Sequence, residues 1–257
     1  LKKLKTIIVV SALAAAAAGV FAFLHFLPGV PAYIRLRYNY PGALDMVIED
    51  YPAYDVCYPE SRDKRPVMSA CGMTLTLPAE MKKNNPDSET ESYSTEDGRT
   101  NIRFSPSVEQ RQTPEASLAA PDGSSNSMQY GDLVECCGIF GWEVPDSMFE
   151  LERELLTLDW DDLHWYEKRD CDFLNSLTAE KWELLGGSLG KMYSHIYRYD
   201  RDGLEGIIYE IKTENEAGTA YSVTLCRKGR YDRVYGLMIR SADRETVQSM
   251  LATVSID

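Results

Sequence analysis

The sequence predicts an α+β fold, an antiparallel β-sheet flanked by helices with a C-terminal four-strand meander and a closing helix, preceded by one transmembrane helix. Three observations carry this. Thr6 to Val30 is an apolar run without Asp, Glu, Lys or Arg. Four segments between Tyr193 and Arg240 alternate apolar and polar residues and are separated by turn sequences, the pattern of antiparallel strands joined by hairpins. Apolar stripes of helical period occupy Met148 to Leu158 and Val247 to Val254.

An apolar run as long as Thr6–Val30 crosses a bilayer as a helix, and Lys2, Lys3 and Lys5 before it favour a cytoplasmic N-terminus. The expected organisation is therefore a cytoplasmic tail (1–5), a transmembrane anchor or signal segment (6–30), a juxtamembrane stalk (31–66) and an extracytoplasmic α+β domain (67–257). The alternative is a secreted protein whose signal peptide is cut near Ala18 or Ala22. Such a cut would leave the apolar piece Phe21–Leu27 at the start of the mature chain, which favours an uncleaved, single-pass anchor. Tyr33, Tyr38 and Tyr40 suit an interfacial aromatic belt, and His25 lies near the outer end, within reach of the headgroups.

A net charge of −13 repels phosphate backbones and anionic headgroups, so nucleic acid is not an expected partner. Basic surfaces, on a protein or cell-envelope component, or cations are better ones. The six cysteines can pair in an oxidising compartment, and Cys57 with Cys71 would close a compact loop around Pro59 and Pro66. Several could equally be buried thiols.

Along the chain, residues 31–66 lack a helical period and read as a stalk with short helical turns such as Leu44–Ile48. Met73–Leu77 alternates and stops at Pro78, giving a first strand; Asn101–Ser105 gives a second and Leu133–Phe140 a third. The polar stretches near 82–100 and 115–127 read as disordered loops. Ser147 and Glu150 have capping-box spacing ahead of the stripe Met148, Leu151, Leu155 and Leu158, so a helix should start there and pack on a sheet. Trp160–Leu177 reads as a second helical stretch, Thr178 as the cap of a third containing Trp182, and Gly186-Gly187 as its end.

The meander strands are expected at Tyr193–Tyr199, Leu204–Thr213, Thr219–Arg227 and Arg233–Arg240. Asp202-Gly203, Glu216-Ala217-Gly218 and Lys228-Gly229-Arg230 supply the turns. Ile207, Tyr209 and Ile211, then Tyr221, Val223 and Leu225, then Tyr235, Leu237 and Ile239 define faces that need a cover. The closing helix, capped by Ser241 or Asp243, offers one through Val247, Met250, Leu251 and Val254.

This order of elements, with MTLTLP, an isolated RFSP strand, helices, a meander and a closing helix ending in Val-Ser-Ile, resembles the PsbP-like fold over roughly Cys71 to Ile256. That family includes extrinsic photosystem proteins and Ran-binding Mog proteins. The resemblance implies an antiparallel sheet between helical layers and a role in binding or assembly, while the long polar loops and many cysteines depart from the family pattern.

No catalytic motif is complete. Gly186, Ser188 and Gly190 match a nucleophile elbow, but a helix precedes them and no His follows His195. Ser188 with Lys191 has the spacing of a serine activated by lysine, without that motif's other members in order. His164, Cys171 and His195 are too sparse for zinc, and Asp200, Asp202 and Glu205 do not follow a calcium loop, so no cofactor or metal is expected. The best candidate binding patch is aromatic and acidic: Trp160, Asp161, Asp162, Trp165 and Tyr166. The expected function is non-catalytic binding or assembly outside the cytoplasm, with a hydrolase using Ser188 or His195 as the alternative.

Overall fold

Helix α1 (Lys2–Phe26) contains a 19-residue stretch, Ile8–Phe26, long and apolar enough to span a membrane or to act as a signal sequence, and none of it is buried against the rest of the protein. The computed structural model describes residues 2–52, 65–85, 91–105, 113–118, 128–158, 168–187, 193–211, 218–241 and 243–257. Pro28 separates α1 from α2 (Gly29–Asn39), whose Ala32 and Leu36 are buried. A turn then buries Ala43 and Leu44, and β1 (Glu49–Asp50) follows. The chain expected as a stalk is thus packed against the domain as far as Tyr51, whose N–H donates to the carbonyl of Arg198 at 2.8 Å. Ala32 and Leu36 stand one helical turn apart, a short apolar stripe that the surrounding tyrosines and charges mask in the sequence.

The remaining elements follow in order: β2 (Val67–Ala70), β3 (Met73–Thr76), β4 (Lys82–Lys83), β5 (Ser92–Ser94) and β6 (Asn101–Ser105); α3 (Pro114–Leu118), α4 (Tyr130–Phe140), α5 (Met148–Thr157) and α6 (Lys168–Leu184); then β7 (Tyr193–Arg201), β8 (Leu204–Ile211), β9 (Thr219–Arg227), β10 (Arg230–Ser241), α7 (Arg244–Leu251) and β11 (Ser255–Ile256). The fold is α+β. Eight strands form one mixed sheet in the order β1-β7-β8-β9-β10-β6-β5-β4, with β1 parallel to β7 and every other pair antiparallel. A second, small sheet has the order β11-β3-β2.

Turn chemistry sets the hairpins. Asp202 and Gly203 take φ of 53° and 77° between β7 and β8, as a two-residue hairpin turn requires. Gly206 faces Leu225 across β8 and β9, where an added Cβ would collide with the Thr224 carbonyl and the Leu225 side chain. Only glycine permits this approach.

Both faces of the large sheet are covered. On one, Tyr221, Val223, Leu225, Leu237 and Ile239 pack with Val247, Met250 and Leu251 of α7 and with Met73 and Leu75 of the small sheet. On the other, Ile207, Tyr209 and Cys226 pack with Phe149 and Leu156 of α5. Ile207 and Tyr209 therefore lie opposite the face that α7 covers. The adjacent residues Ile207 and Ile208 are both fully buried, so β8 is apolar on both sides and one cover cannot suffice. Beyond α5, a helical cluster joins α2, α4, α5 and α6 through Leu36, Leu133, Cys136, Leu151, Leu155, Cys171 and Leu174.

Helix α5 starts as its cap dictates: Ser147 Oγ accepts from Glu150 N–H at 3.2 Å, and the Glu150 carboxylate accepts from Asp146 N–H at 2.9 Å. Its stripe Leu151, Leu155 and Leu158 faces the other helices, however, while Phe149 and Leu156 meet the sheet. Asp243 caps α7 by accepting from Glu245 and Thr246 N–H.

Four further segments differ from expectation for identifiable reasons. Leu133–Phe140 is helical, within α4: Leu133, Cys136, Cys137 and Phe140 have helical spacing, Asp132 accepts from Gln129 N–H at 3.3 Å, and Gly141 ends the helix at φ 71°. Thr178 lies inside α6 and not at a start, because its hydroxyl donates to the Leu174 carbonyl one turn back at 2.6 Å. Within 82–100, β4 and β5 extend the large sheet and Lys83 Nζ pairs with Glu91 at 2.7 Å; within 115–127, residues to Leu118 are helical and 119–127 lie outside the described residues.

Lys181 on α6 is fully buried and donates to the carbonyls of Leu156 and Leu158, at 3.3 and 2.5 Å. These belong to the C-terminal end of α5, where carbonyls lack intrahelical partners and a cation is favoured. Lys181→Met is expected to leave them without this donor in the core and to lower stability by about 2–4 kcal/mol, read from the urea midpoint of the detergent-solubilised chain.

Candidate functional site

A cleft of about 520 Å³ opens where the N-terminus of α5 meets the turn between β9 and β10, lined by Thr113, Asp146, Ser147, Gly229, Arg230, Tyr231 and Asp232. The α5 cap places Asp146 and Ser147; the turn at Lys228-Gly229, with Gly229 at φ 74°, carries the chain back past them. The irregular register of β10 between Arg230 and Tyr235 frees Tyr231 and Asp232 from the regular ladder with β9.

The floor of the cleft is fixed from below by Glu205 on β8, only 4% exposed. One of its carboxylate oxygens accepts from Arg153 Nη1 of α5 and the other from Gly229 N–H at 3.1 Å. Burial first, then the neighbouring Glu205 carboxylate, pushes the Tyr231 phenol up to about 12. The Tyr231 ring stacks on Phe149 with centroids 6.0 Å apart. A helix, a central strand and a hairpin turn thus converge on one buried carboxylate, which fixes the turn in place.

The chemistry of the rim follows from its groups. Ser147 and Glu150 already satisfy amides at the start of α5, so the helix end is filled by the chain's own acceptors. Arg230 Nε pairs with Asp232 at 3.3 Å, and Asp146 adds a further carboxylate. This arrangement suits a ligand that brings hydrogen-bond donors and positive charge.

A second cavity of about 210 Å³ lies among Leu118, Met128, Met148, Leu151, Leu155 and Leu184. Its two carboxylates are engaged within the protein, Glu152 by the Tyr209 hydroxyl at 2.5 Å and Glu180 by Met128 N–H at 3.2 Å.

The expected patch Trp160, Asp161, Asp162, Trp165 and Tyr166 lies outside the described residues, in the segment joining α5 to α6, and Ser188, between α6 and β7, lies outside them too. His195 is on β7, about half exposed, with Nδ1 3.5 Å from Glu49 Oε1 and its ring stacked on Tyr197. The neighbouring Ser194 hydroxyl is turned to Glu210, donating to its Oε1 at 2.8 Å. Tyr197, itself buried, in turn accepts from Arg244 at 2.8 Å, so this end of the sheet carries a partly buried network of tyrosine, carboxylate and guanidinium groups. Cys71 is exposed in the turn between β2 and β3, at φ 53°, while Cys57 lies outside the described residues. No disulfide joins any two of the described cysteines, and Cys136, Cys137, Cys171 and Cys226 are buried. Among the described residues, no group of three or more His, Cys, Asp or Glu is placed to hold a metal ion.

Sequence reasoning missed the cleft because its walls are some eighty residues apart. One signal was present: Glu205 interrupts an otherwise apolar strand, Leu204 to Ile208, and a charge there needs a buried partner. No protein-family model matches the chain, and no curated protein matches its sequence.

Proposed function

We propose that this chain is a membrane-anchored binding or assembly module, without a catalytic role, whose α+β domain lies outside the cytoplasm and takes a basic segment of a protein or cell-envelope component into the cleft at the start of α5. The observation that carries this reading is the cleft itself, a pre-positioned turn on a buried carboxylate with Asp146 and Asp232 at its rim. The net charge of −13 acts in the same direction at longer range by drawing in cationic partners. The apolar stretch Ile8–Phe26 of α1 supports the anchor, and exposed Cys71 is available for pairing with Cys57 in an oxidising compartment. The PsbP-like order of elements also favours binding or assembly over catalysis.

The test is fluorescence anisotropy of a labelled oligolysine peptide against the detergent-solubilised chain and its variants. Asp146→Asn with Asp232→Asn is expected to weaken binding about tenfold or more, because close charge pairs are lost. Unspecific attraction to the whole acidic surface would change far less, since two charges of many are removed. Unchanged affinity in this double variant would rule out the cleft. Loss of binding in Trp160→Ala with Trp165→Ala instead would move the site to the segment between α5 and α6.

A further inference from the structure

Helix α2 carries two faces that the sequence alone does not separate. One face, Ala32 and Leu36, is buried in the helical cluster. Tyr33 and Tyr40, both suited by type to a membrane interface, pack against the helical core instead. The opposite face is open: Leu27, Ile34 and Tyr38 are 41%, 63% and 86% exposed. Half-buried Pro31, Ile34 and Tyr38 are spaced three and four apart and form one stripe on the outward side of α2, which Leu27, just ahead of the helix, extends. Arg35, bonded to Asp172, and Arg37, bonded to Asp45, flank the stripe with about half of each side chain in solvent.

An apolar stripe ending in a nearly fully exposed tyrosine needs a cover, and its position says which one. Helix α2 begins at Gly29, directly after α1 ends at Phe26, so the stripe continues the apolar surface of the candidate membrane span. The boundary between acyl chains and headgroups is where isoleucine, a tyrosine with its hydroxyl outward and flanking arginines are each satisfied.

We propose that α2 lies in the outer interfacial layer of the bilayer with Leu27, Pro31, Ile34 and Tyr38 toward lipid, and thereby clamps the domain against the membrane in one orientation. This rests on the reading of α1 as an uncleaved anchor. The occupant is the phospholipid interface, and no second protein is needed. The Ala32 and Leu36 face on the domain and the stripe on the lipid make α2 a rigid bracket in place of a free stalk.

The test places the photocrosslinker p-benzoylphenylalanine singly at positions 10, 34, 38 and 82 of the full chain, reconstituted in nanodiscs of phosphatidylcholine and phosphatidylglycerol. Mass spectrometry after irradiation reads the adducts. Val10 lies in the candidate span and Lys82 is an exposed position on the far edge strand of the sheet. Phospholipid adducts are expected at 10, 34 and 38, with yields at 34 and 38 about tenfold or more above that at 82. Lipid at 10 but not at 34 and 38 would overturn the bracket and leave the anchor standing. A protein adduct at 34 and 38 in place of lipid would also overturn it, and no lipid adduct at 10 would remove the anchor and the bracket together.

Discussion

Raised from about pH 8 toward pH 12, the protein is expected to unfold cooperatively before its buried phenols and thiols ionise in place. Tyr199, Tyr221, Cys136 and Cys226 are at most 4% exposed, and burial is the largest cause that pushes each of them up to about 12. In the unfolded chain tyrosine ionises near 10 and cysteine near 9. Below pH 9 both states hold these protons and the groups add no pH dependence. Above it the unfolded chain releases protons that the folded chain retains, so stability falls as pH rises from 9–10 toward 12. Each fully buried group contributes about 1.4 kcal/mol per pH unit in that window, and the four together are comparable with a typical stability of about 5–15 kcal/mol. The measurement is phenolate absorbance recorded beside circular dichroism. Exposed tyrosines should titrate first, and a second set should appear only with loss of structure. Tyr221→Phe should make the decline of stability above pH 10 shallower. All tyrosines titrating near 10 with the fold intact would contradict the burial described here.

Glu205→Ala is expected to cost about 3–5 kcal/mol, because it takes from partly buried Arg153 its nearer counter-charge and leaves only Glu154 at 3.9 Å. The loss extends past the ion pair, because Gly229 N–H loses its acceptor. Glu205→Gln keeps an acceptor but not the charge, so a smaller loss of about 1–3 kcal/mol is expected. Urea midpoints of the two variants separate these contributions, and oligolysine binding should fall in both under conditions where they remain folded. A change below about 1 kcal/mol in Glu205→Ala would mean that the buried carboxylate does not hold the floor of the cleft.

What was legible in the sequence was local. The Ser147 cap, the hairpin turn at Asp202-Gly203 and the stripe of α7 all rest on residues within a few positions of one another. The strand expectation at Leu133–Phe140 failed because a short apolar run fits either period, and the deciding cap, Asp132 to Gln129, lies outside the run. Thr178 has the residue type of a cap, since hydroxyl residues favour that position, yet its bond to Leu174 is the helix-interior alternative for the same side chain. The parallel pairing of Glu49 and Asp50 with Tyr197 and Arg198, the burial of Lys181 on the end of α5, and the cleft all join elements distant in the chain. No short-range pattern encodes those meetings.

The placement of the domain is tested most directly by treating intact cells with a membrane-impermeant amine reagent and mapping the labelled lysines on chains recovered from the membrane fraction. Lys82 and Lys228, exposed on the domain, should carry label, while Lys2, Lys3 and Lys5 should be present in the same chains and unlabelled. Label on Lys2 to Lys5 with none on the domain would reverse the topology, and recovery only of soluble chains that start beyond Ala22 would replace the anchor with a signal sequence.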